Sequence, residues 1–531
     1  MSTQIHETRR RTAVNTAIFS VATGLSRIAG LVREIIAASL FGTTGAASAF
    51  TLAFQIPNLV RALVADAALS SAFVPVFSEL LEQRRRKDAY TLASALAGLL
   101  LIVLGAITVA FILIAPAIVP IFTGNDFTPE LDKLCTGLSQ VLFPIVILLG
   151  LNGLGVGILN AHDHFTIPAI APLVWNVVII VGMVGLAPMF HGDHRIYGYA
   201  IGVVAGTFVQ LIMIFPALRR IGYPVFHLSL PKRGDRRVRQ VLLLMLPVSV
   251  SLGLINIDLV LNSTIGSLIS DHAPRAIDAA FRIYMLPQGM FSVAVTTVLF
   301  PQLSRLAARG DVPGLRRTAG SGMRQVALLL IPAGAATAVL ATPMVQLVYQ
   351  RGAFDAQSTR ETASALFWFA FSLPLSGWNL LLTRTFFSIQ RPWLPTALSG
   401  ASLVVNTIIS ILLYKPLGIA GVVLGTVISN ALLTLLEAIY LRRELGGLDL
   451  RRTTWTCLGM LLGAFLLAEV TYGVWTGLDH LLGDSLIAQI VSVGLSLTLG
   501  ALAYTGAVLW LRIPEARQVL ALLGSRLKRG S

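Results

Sequence analysis

An all-α polytopic membrane protein of about fourteen transmembrane helices is expected from three observations. Of the 531 residues, 55% are hydrophobic, only 12% are charged, and the mean hydropathy is +0.78 over the whole chain. Soluble domains carry about 25% charged residues, so the main solvent is the bilayer and a soluble enzyme is excluded. Cys135 and Cys457 lie far apart in apolar stretches, which leaves no disulfide framework and no cysteine metal site.

A spanning helix needs about 20 mostly apolar residues. Fourteen such stretches follow in order: 13–37, 46–80, 91–121, 133–160, 168–189, 197–218, 239–268, 276–305, 318–348, 361–388, 394–414, 418–441, 454–477 and 485–512. The first contains Arg27 and Arg33 and has no early small-residue cleavage site, so it is read as a retained helix rather than a signal peptide.

The net charge of +15 comes from 40 Lys+Arg against 25 Asp+Glu, and nearly all the cations are arginines. Retention of Lys and Arg on the cytoplasmic side accounts for most of it. Arg84-Arg85-Arg86-Lys87, the 219–239 connection, Arg442-Arg443 and Arg451-Arg452 all fall at even-numbered junctions. Arg9-Arg10-Arg11 and the Arg526, Lys528, Arg529 tail agree, so both termini are expected in the cytoplasm.

Three short matches recur in order. Val74-Pro75-Val76-Phe77-Ser78 pairs with Phe300-Pro301-Gln302-Leu303-Ser304, Pro168 with Pro395, and Leu218-Arg219-Arg220 with Leu441-Arg442-Arg443, at offsets of 226, 227 and 223. Such regular offsets argue for duplication of a six-helix unit. The expected organisation is an N-lobe at 1–220, a cytoplasmic linker at 221–238, a C-lobe at 239–445, and an additional helix pair with a cytoplasmic tail at 446–531. Two six-helix lobes of like orientation place a transport site between them.

A charge near the middle of a spanning helix costs about 2.5–3.5 kcal/mol on insertion scales, so it marks protein-facing or wet surface. At about 1.5 Å per residue from Ala13, Arg27 lies roughly 20 Å deep and Arg33 roughly 30 Å. The second stretch carries Gln55, Pro57, Asn58, Arg61 and Asp66; the seventh carries Asn256, Asp258 and Asn262; the eighth carries Asp278 and Arg282 before a Pro287–Gly289 break. One reading is a cavity in which Arg27, Arg33, Arg61 and Arg282 hold an anionic head group, because guanidinium forks match phosphate oxygens bidentately. The second is internal ion pairing: Arg27 and Glu34 share a helix face, Asp278 and Arg282 are four apart, and Asp66 and Asp258 could balance the rest. The third is ion coupling. Arg384, near a helix end, is explained by snorkelling.

No Gly-Lys dipeptide occurs, which removes a Walker A loop, and no His-Glu-x-x-His or Gly-x-Ser-x-Gly motif is present. The chain is read as a transporter, not an enzyme. His162-Asp163-His164 and His191-Gly192-Asp193-His194 are read as solvated loop residues.

Ser26-Arg27-Ile28-Ala29-Gly30-Leu31-Val32-Arg33-Glu34, Phe41-Gly42, Ala53-Phe54-Gln55-Ile56-Pro57-Asn58-Leu59-Val60-Arg61 and Ala72-Phe73-Val74-Pro75 together resemble the MurJ (MviN) family of lipid II flippases. Phe281-Arg282, Leu286-Pro287-Gln288-Gly289 and the run Thr297 to Arg305 extend the resemblance into the second lobe. It covers about the first 445 residues in motif order.

The resemblance implies the V-shaped fold of the multidrug/oligosaccharidyl-lipid/polysaccharide exporter (MOP) superfamily, shared with MATE transporters, plus two extra C-terminal helices that form a groove for a polyprenyl tail. It implies alternating access that carries undecaprenyl-diphosphate-linked disaccharide-pentapeptide, lipid II, to the outer leaflet of the inner membrane for peptidoglycan synthesis. The family's essential cavity arginines fall on Arg27, Arg33, Arg61 and Arg282. Glu34, Gln55, Asn58, Asp66, Asp258 and Asp278 are the expected cavity and gating residues. Expected partners are lipid II, membrane lipids and other cell-wall synthesis and division proteins, with no nucleic acid.

The chain departs from the family in four places. Ser48 stands for an Asp, Asp66-Ala67 for a Glu-Gly pair, Phe281 for the acid before Arg282, and Asn262 for an Asp of sodium-binding relatives. Asn256, Asp258 and Asn262 are the remaining Na+ ligand candidates. No cofactor is expected, and a Na+ or H+ gradient or the membrane potential supplies the drive. Another polyprenyl-linked glycan flippase or an ion-coupled drug exporter is the alternative.

Overall fold

A computed structural model describes residues 2–64, 67–124, 127–223, 228–231, 235–483 and 485–517, with the side chains of 2–20, 64, 67, 68, 70, 71 and 251 outside the description. Every regular element among these residues is helical. Each of the fourteen apolar stretches appears as helix, and twelve helices among the described residues are long and apolar enough to cross a membrane. The first two stretches are not among those twelve.

The chain divides by contact into two units, residues 1–274 with 351–353, and residues 275–350 with 354–531. Unit 1 holds α1 (Ser2–Phe41), α2 (Gly45–Val64), α3 (Ala67–Glu82), α4 (Arg86–Phe122), α5 (Pro129–Leu142), α6 (Ile145–Ala161), α7 (Thr166–Leu186), α8 (Tyr197–Arg220) and α9 (Arg236–Gly266). This division falls one spanning helix later than the 221–238 linker expected from the repeat, because α9 packs on α2 and α3. Sequence repeats record duplicated segments, whereas contacts record which faces bury each other.

Unit 1 packs around buried Phe73, Phe77, Leu96, Leu138 and Phe143. Its helices start and stop for local reasons. Thr128 caps α5 by accepting from the Leu131 N–H at 3.3 Å, with Pro129 in the first turn. Pro144 then separates α5 from α6 within one apolar stretch. Helices α7 and α8 approach closely through glycine: a Cβ on Gly182 would lie 2.7 Å from the Gly202 Cα, so no larger residue fits without displacing the helices.

Unit 2 holds α10 (Ala273–Pro287, joined from Arg275), a π turn at Gln288–Ser292, α11 (Val293–Ala308), α12 (Val312–Val339), α13 (Ala341–Tyr349), α14 (Ala356–Ser388), α15 (Trp393–Leu417), α16 (Ile419–Glu444), α17 (Leu450–Leu482) and α18 (Leu486–Trp510). The π turn occupies the expected Pro287–Gly289 break, and such turns are frequent at functional sites. Asp311 and Asp355 cap α12 and α14, accepting from Gly314 and Ser358 N–H groups at 2.8 Å each.

The duplicated motifs occupy equivalent places. Pro75 and Pro301 are each the ninth residue of a sixteen-residue helix, and Pro168 and Pro395 are each the third residue of α7 and α15. The additional pair α17–α18 packs on α12 around Met460, Leu467 and Tyr504. Arg324 and Glu515, both buried, close that seam with an ion pair, and Arg324 Nη1 also donates to Thr453 Oγ1 at 3.4 Å. Large exposed apolar side chains such as Leu113, Ile121, Phe465 and Leu502 face outward, as a bilayer solvent demands.

Candidate functional site

In unit 1 the site begins on the α1–α7 seam. Asn176 Nδ2 of α7 donates to the Ser26 carbonyl at 3.4 Å and to Pro172 O at 2.9 Å. One turn on, Arg33 is buried: Nη2 pairs with Glu34 Oε1 at 2.8 Å, and the guanidinium lies 4.9 Å from the Trp175 ring centroid. Tyr199 Oη donates to the same Glu34 oxygen at 3.5 Å. The alternative of an Arg27–Glu34 pair is not what the structure shows. Glu34 turns inward to its neighbour Arg33 and to α8, while Arg27 is exposed and makes no hydrogen bond or ion pair with the described residues.

Helix α2 supplies the second wall. Arg61 Nε donates to Asn58 Oδ1 at 2.9 Å, Asn58 Nδ2 donates to Asn256 Oδ1 of α9 at 2.9 Å, and Gln55 Nε2 donates to Ser263 Oγ of α9 at 2.7 Å. Gln55, Asn58 and Arg61 form one helix stripe, and its Gln55 and Asn58 amides donate to α9. Asn262 Nδ2 donates to Asp258 Oδ2 at 3.3 Å along α9. Of the Na+ candidates, Asn256 thus serves the α2 seam, apart from the Asp258–Asn262 pair. Among the described residues no three His, Cys, Asp or Glu side chains converge. Asp66 lies outside the described residues.

These walls enclose a pocket of about 340 Å³ lined by Asn58, Arg61, Asn152, Trp175, Thr207 and Gln210, closed by Phe54, Ile145, Leu149 and Pro172. Trp175 Nε1 donates to Thr207 Oγ1 at 3.1 Å, which fixes the ring that Arg33 faces. Asn152 is buried with its Oδ1 unpartnered among the described residues. The pocket offers one guanidinium, amide groups and an aromatic wall, a donor set suited to an anion carried on an apolar molecule.

In unit 2, Asp278 Oδ2 accepts from Arg282 Nε at 2.9 Å and from Arg275 Nη1 at 2.9 Å. Arg275 is buried, and the Arg282 side chain is about a third exposed at 35%. Phe281, expected as a departure from the resemblance, packs against Tyr284 and Phe369 with centroids 5.6 and 5.7 Å away. The acid that serves Arg282 comes from one turn earlier. Ser48 is fully buried, its N–H donating to Thr44 O at 3.0 Å.

Sequence reasoning missed Trp175, Asn152 and Gln210, which carry no signal inside apolar runs until helices juxtapose them. Arg275 was findable, since Arg275-x-x-Asp278 is an i,i+3 pair. So was Glu437, an acid inside an apolar stretch.

A family model for "Lipid II flippase MurJ" matches residues 37–491. Among curated relatives, a lipid II flippase MurJ of Burkholderia cenocepacia is 29% identical over 79% of this chain and 82% of its own length. Probable lipid II flippases MurJ of Rhizobium tropici and Synechocystis sp. are 31% identical over 76% of each chain and 29% identical over 96% of each chain. A solved structure of lipid II flippase MurJ in an inward closed conformation superposes with a TM-score of 0.76 at 22% identity, covering 92% of this chain and 98% of that one. An inward-facing MATE transporter of the MOP superfamily gives 0.69 at 17% identity, covering 79% and 94%. With the family match running over most of its length, this multi-span membrane protein belongs to the lipid II flippase MurJ family.

Proposed function

We propose that this chain flips lipid II from the inner to the outer leaflet of the cytoplasmic membrane by alternating access, holding the diphosphate with arginines. Family membership and the names of the curated relatives support the substrate. The observation that carries the chemistry is the polar pocket of unit 1, where Arg61 and four amide or hydroxyl side chains open into about 340 Å³ among membrane-spanning helices. That volume suits a diphosphate, with the sugar-peptide head and the prenyl tail lying outside it.

In this reading Arg27 and Arg61 meet phosphate oxygens directly. Arg33 holds the Trp175 wall, and Arg282 is a reserve cation that Asp278 keeps neutralised until an anion competes for it. Both termini lie in the cytoplasm. An inside-negative potential, worth about 2.3 kcal/mol per charge per 100 mV, favours outward movement of the anionic head group.

The test is translocation of lipid II in proteoliposomes by the Arg27→Ala, Arg61→Ala and Arg282→Ala variants, with Arg→Lys to separate bidentate geometry from charge. Full activity in all three alanine variants removes diphosphate capture. The likeness to MATE exporters favours one second reading, export of another substrate. Offering other polyprenyl-diphosphate glycans and organic cations in the same vesicles decides it, and the arginine-lined pocket counts against cations.

A further inference from the structure

Glu437 sits in the interior of α16 with 0% exposure. Thr383 Oγ1 of α14 donates to its Oε1 at 2.8 Å, and its Oε2 has no hydrogen-bond partner among the described residues. The charged groups on the elements packed against it are engaged or distant. Arg384 of α14 lies over the Phe300 ring at 5.4 Å, Arg443 over Tyr440 at 5.9 Å, and Glu444 pairs with Arg391 at 3.0 Å. Arg442 is exposed at the end of α16. Arg360 and Glu361 stand at the start of α14, and Lys415 of α15 contacts Tyr414, all toward the opposite end of α16. A carboxylate left ionised without a cation at such a site loses its hydration uncompensated, so the neutral acid is favoured there.

Glu437 is also the end of a polar line. Ser372, Asn379 and Thr383 form one stripe on α14; Asn430, Thr434 and Glu437 form the facing stripe on α16. Asn430 Nδ2 donates to Ser372 Oγ at 2.8 Å, Asn379 Nδ2 to Asn430 Oδ1 at 3.3 Å, and Thr434 Oγ1 to Asn379 Oδ1 at 2.5 Å. Tyr284 Oη of α10 lies 3.4 Å from Ser372 Oγ. At the other end, a pocket of about 630 Å³ is lined by Ser304, Asp311, Phe387, Arg391 and Glu444. Glu437 is seven residues short of Glu444, about 10 Å along the axis. Fully buried Leu441 and Phe386 occupy the intervening turns. Packing alone would be satisfied by amides and hydroxyls; the one ionisable group of the seam is placed where it can gain or lose a proton.

We infer that Glu437 is a proton-binding site, neutral in this structure, which exchanges its proton with water of the adjoining pocket as the α14–α16 seam loosens. Only its O–H bond is made or broken, with the proton passing to or from water. Coupling of that exchange to transport rests on the function proposed above; the protonation itself does not.

Two experiments test this. Infrared titration of the purified full chain against Glu437→Gln shows a protonated-carboxyl band in the parent at neutral pH that vanishes in base and is missing from the variant. Absence of that band at neutral pH overturns the site. In lipid II proteoliposomes, an imposed proton gradient changes the parent's rate by about fivefold or more, the low end for coupled sites. Glu437→Gln then runs at one rate whatever the gradient, and Glu437→Asp restores the response. A Gln variant that keeps the response, or a parent that answers to sodium alone, overturns the coupling. A parent that moves no lipid II yet shows the titrating band sinks the transport reading and leaves the proton site standing.

Discussion

The two units distribute charge differently. Unit 1 sets Arg61 on Asn58 beside an open pocket and leaves Arg27 exposed, while its buried Arg33–Glu34 pair lies against Trp175. Unit 2 encloses its charge, with Asp278 shared between Arg275 and Arg282, Arg324 locked to Glu515, and Glu437 buried on a ladder of amides and hydroxyls. Under the function proposed above, the first arrangement would receive an anion from outside; the second holds a helix stack together and, under the further inference, would store a proton. Counts of arginine and acid across a membrane protein therefore say little until it is known which of them pair internally.

The contrast is most exposed to removal of one partner from a buried pair. Glu515→Ala strands Arg324, and Arg33→Ala strands Glu34; each is expected to lower unfolding stability in detergent by about 3–5 kcal/mol. Replacing both partners, Arg324→Met with Glu515→Leu, is expected to be near neutral. If Arg33→Ala instead unfolds like the parent but loses translocation, Arg33 belongs with the ligand and the contrast weakens. Next in size, Arg61→Ala removes charge-assisted hydrogen bonds to the substrate worth about 1.5–3 kcal/mol, read as roughly 10- to 100-fold weaker lipid II binding with little loss of stability. Asp278→Asn should show the reverse, a stability loss of similar size from the released Arg275 and Arg282 and a smaller effect on binding.

The smallest effect is expected at a helix cap. Asp355 has its carboxyl held below the ordinary aspartate value, first by the Ser358 backbone N–H and then by its side chain. That contribution is present above the unfolded value of about 3.9 and is lost as pH falls through the lower folded value. Asp355→Ala should thus cost about 1 kcal/mol at neutral pH, and the gap to the parent should close in acid. A gap that stays constant down to strongly acidic pH assigns the loss to packing rather than to the cap.

Much of the architecture was legible before any coordinates. Runs of about twenty apolar residues between polar junctions have one stable solution in a bilayer, because every backbone donor and acceptor must be satisfied within the segment. That constraint acts locally, which is why all fourteen stretches appear as helix and why Pro75 and Pro301 reappear at the same helical position. Spacing also found the Asp278–Arg282 pair, four residues apart on one turn. It could not choose a partner for Glu34, since Arg27 and Arg33 both lie within reach of it along α1 and the choice rests on Trp175 and Tyr199, more than 140 residues away. Nor did it reveal that α9 is bound to α2 through Asn256 and Ser263. Helix identity follows from solvent and local periodicity; which polar face meets which depends on juxtaposition across the whole chain, and on that depend both the polar pocket beside Arg61 and the buried acid Glu437.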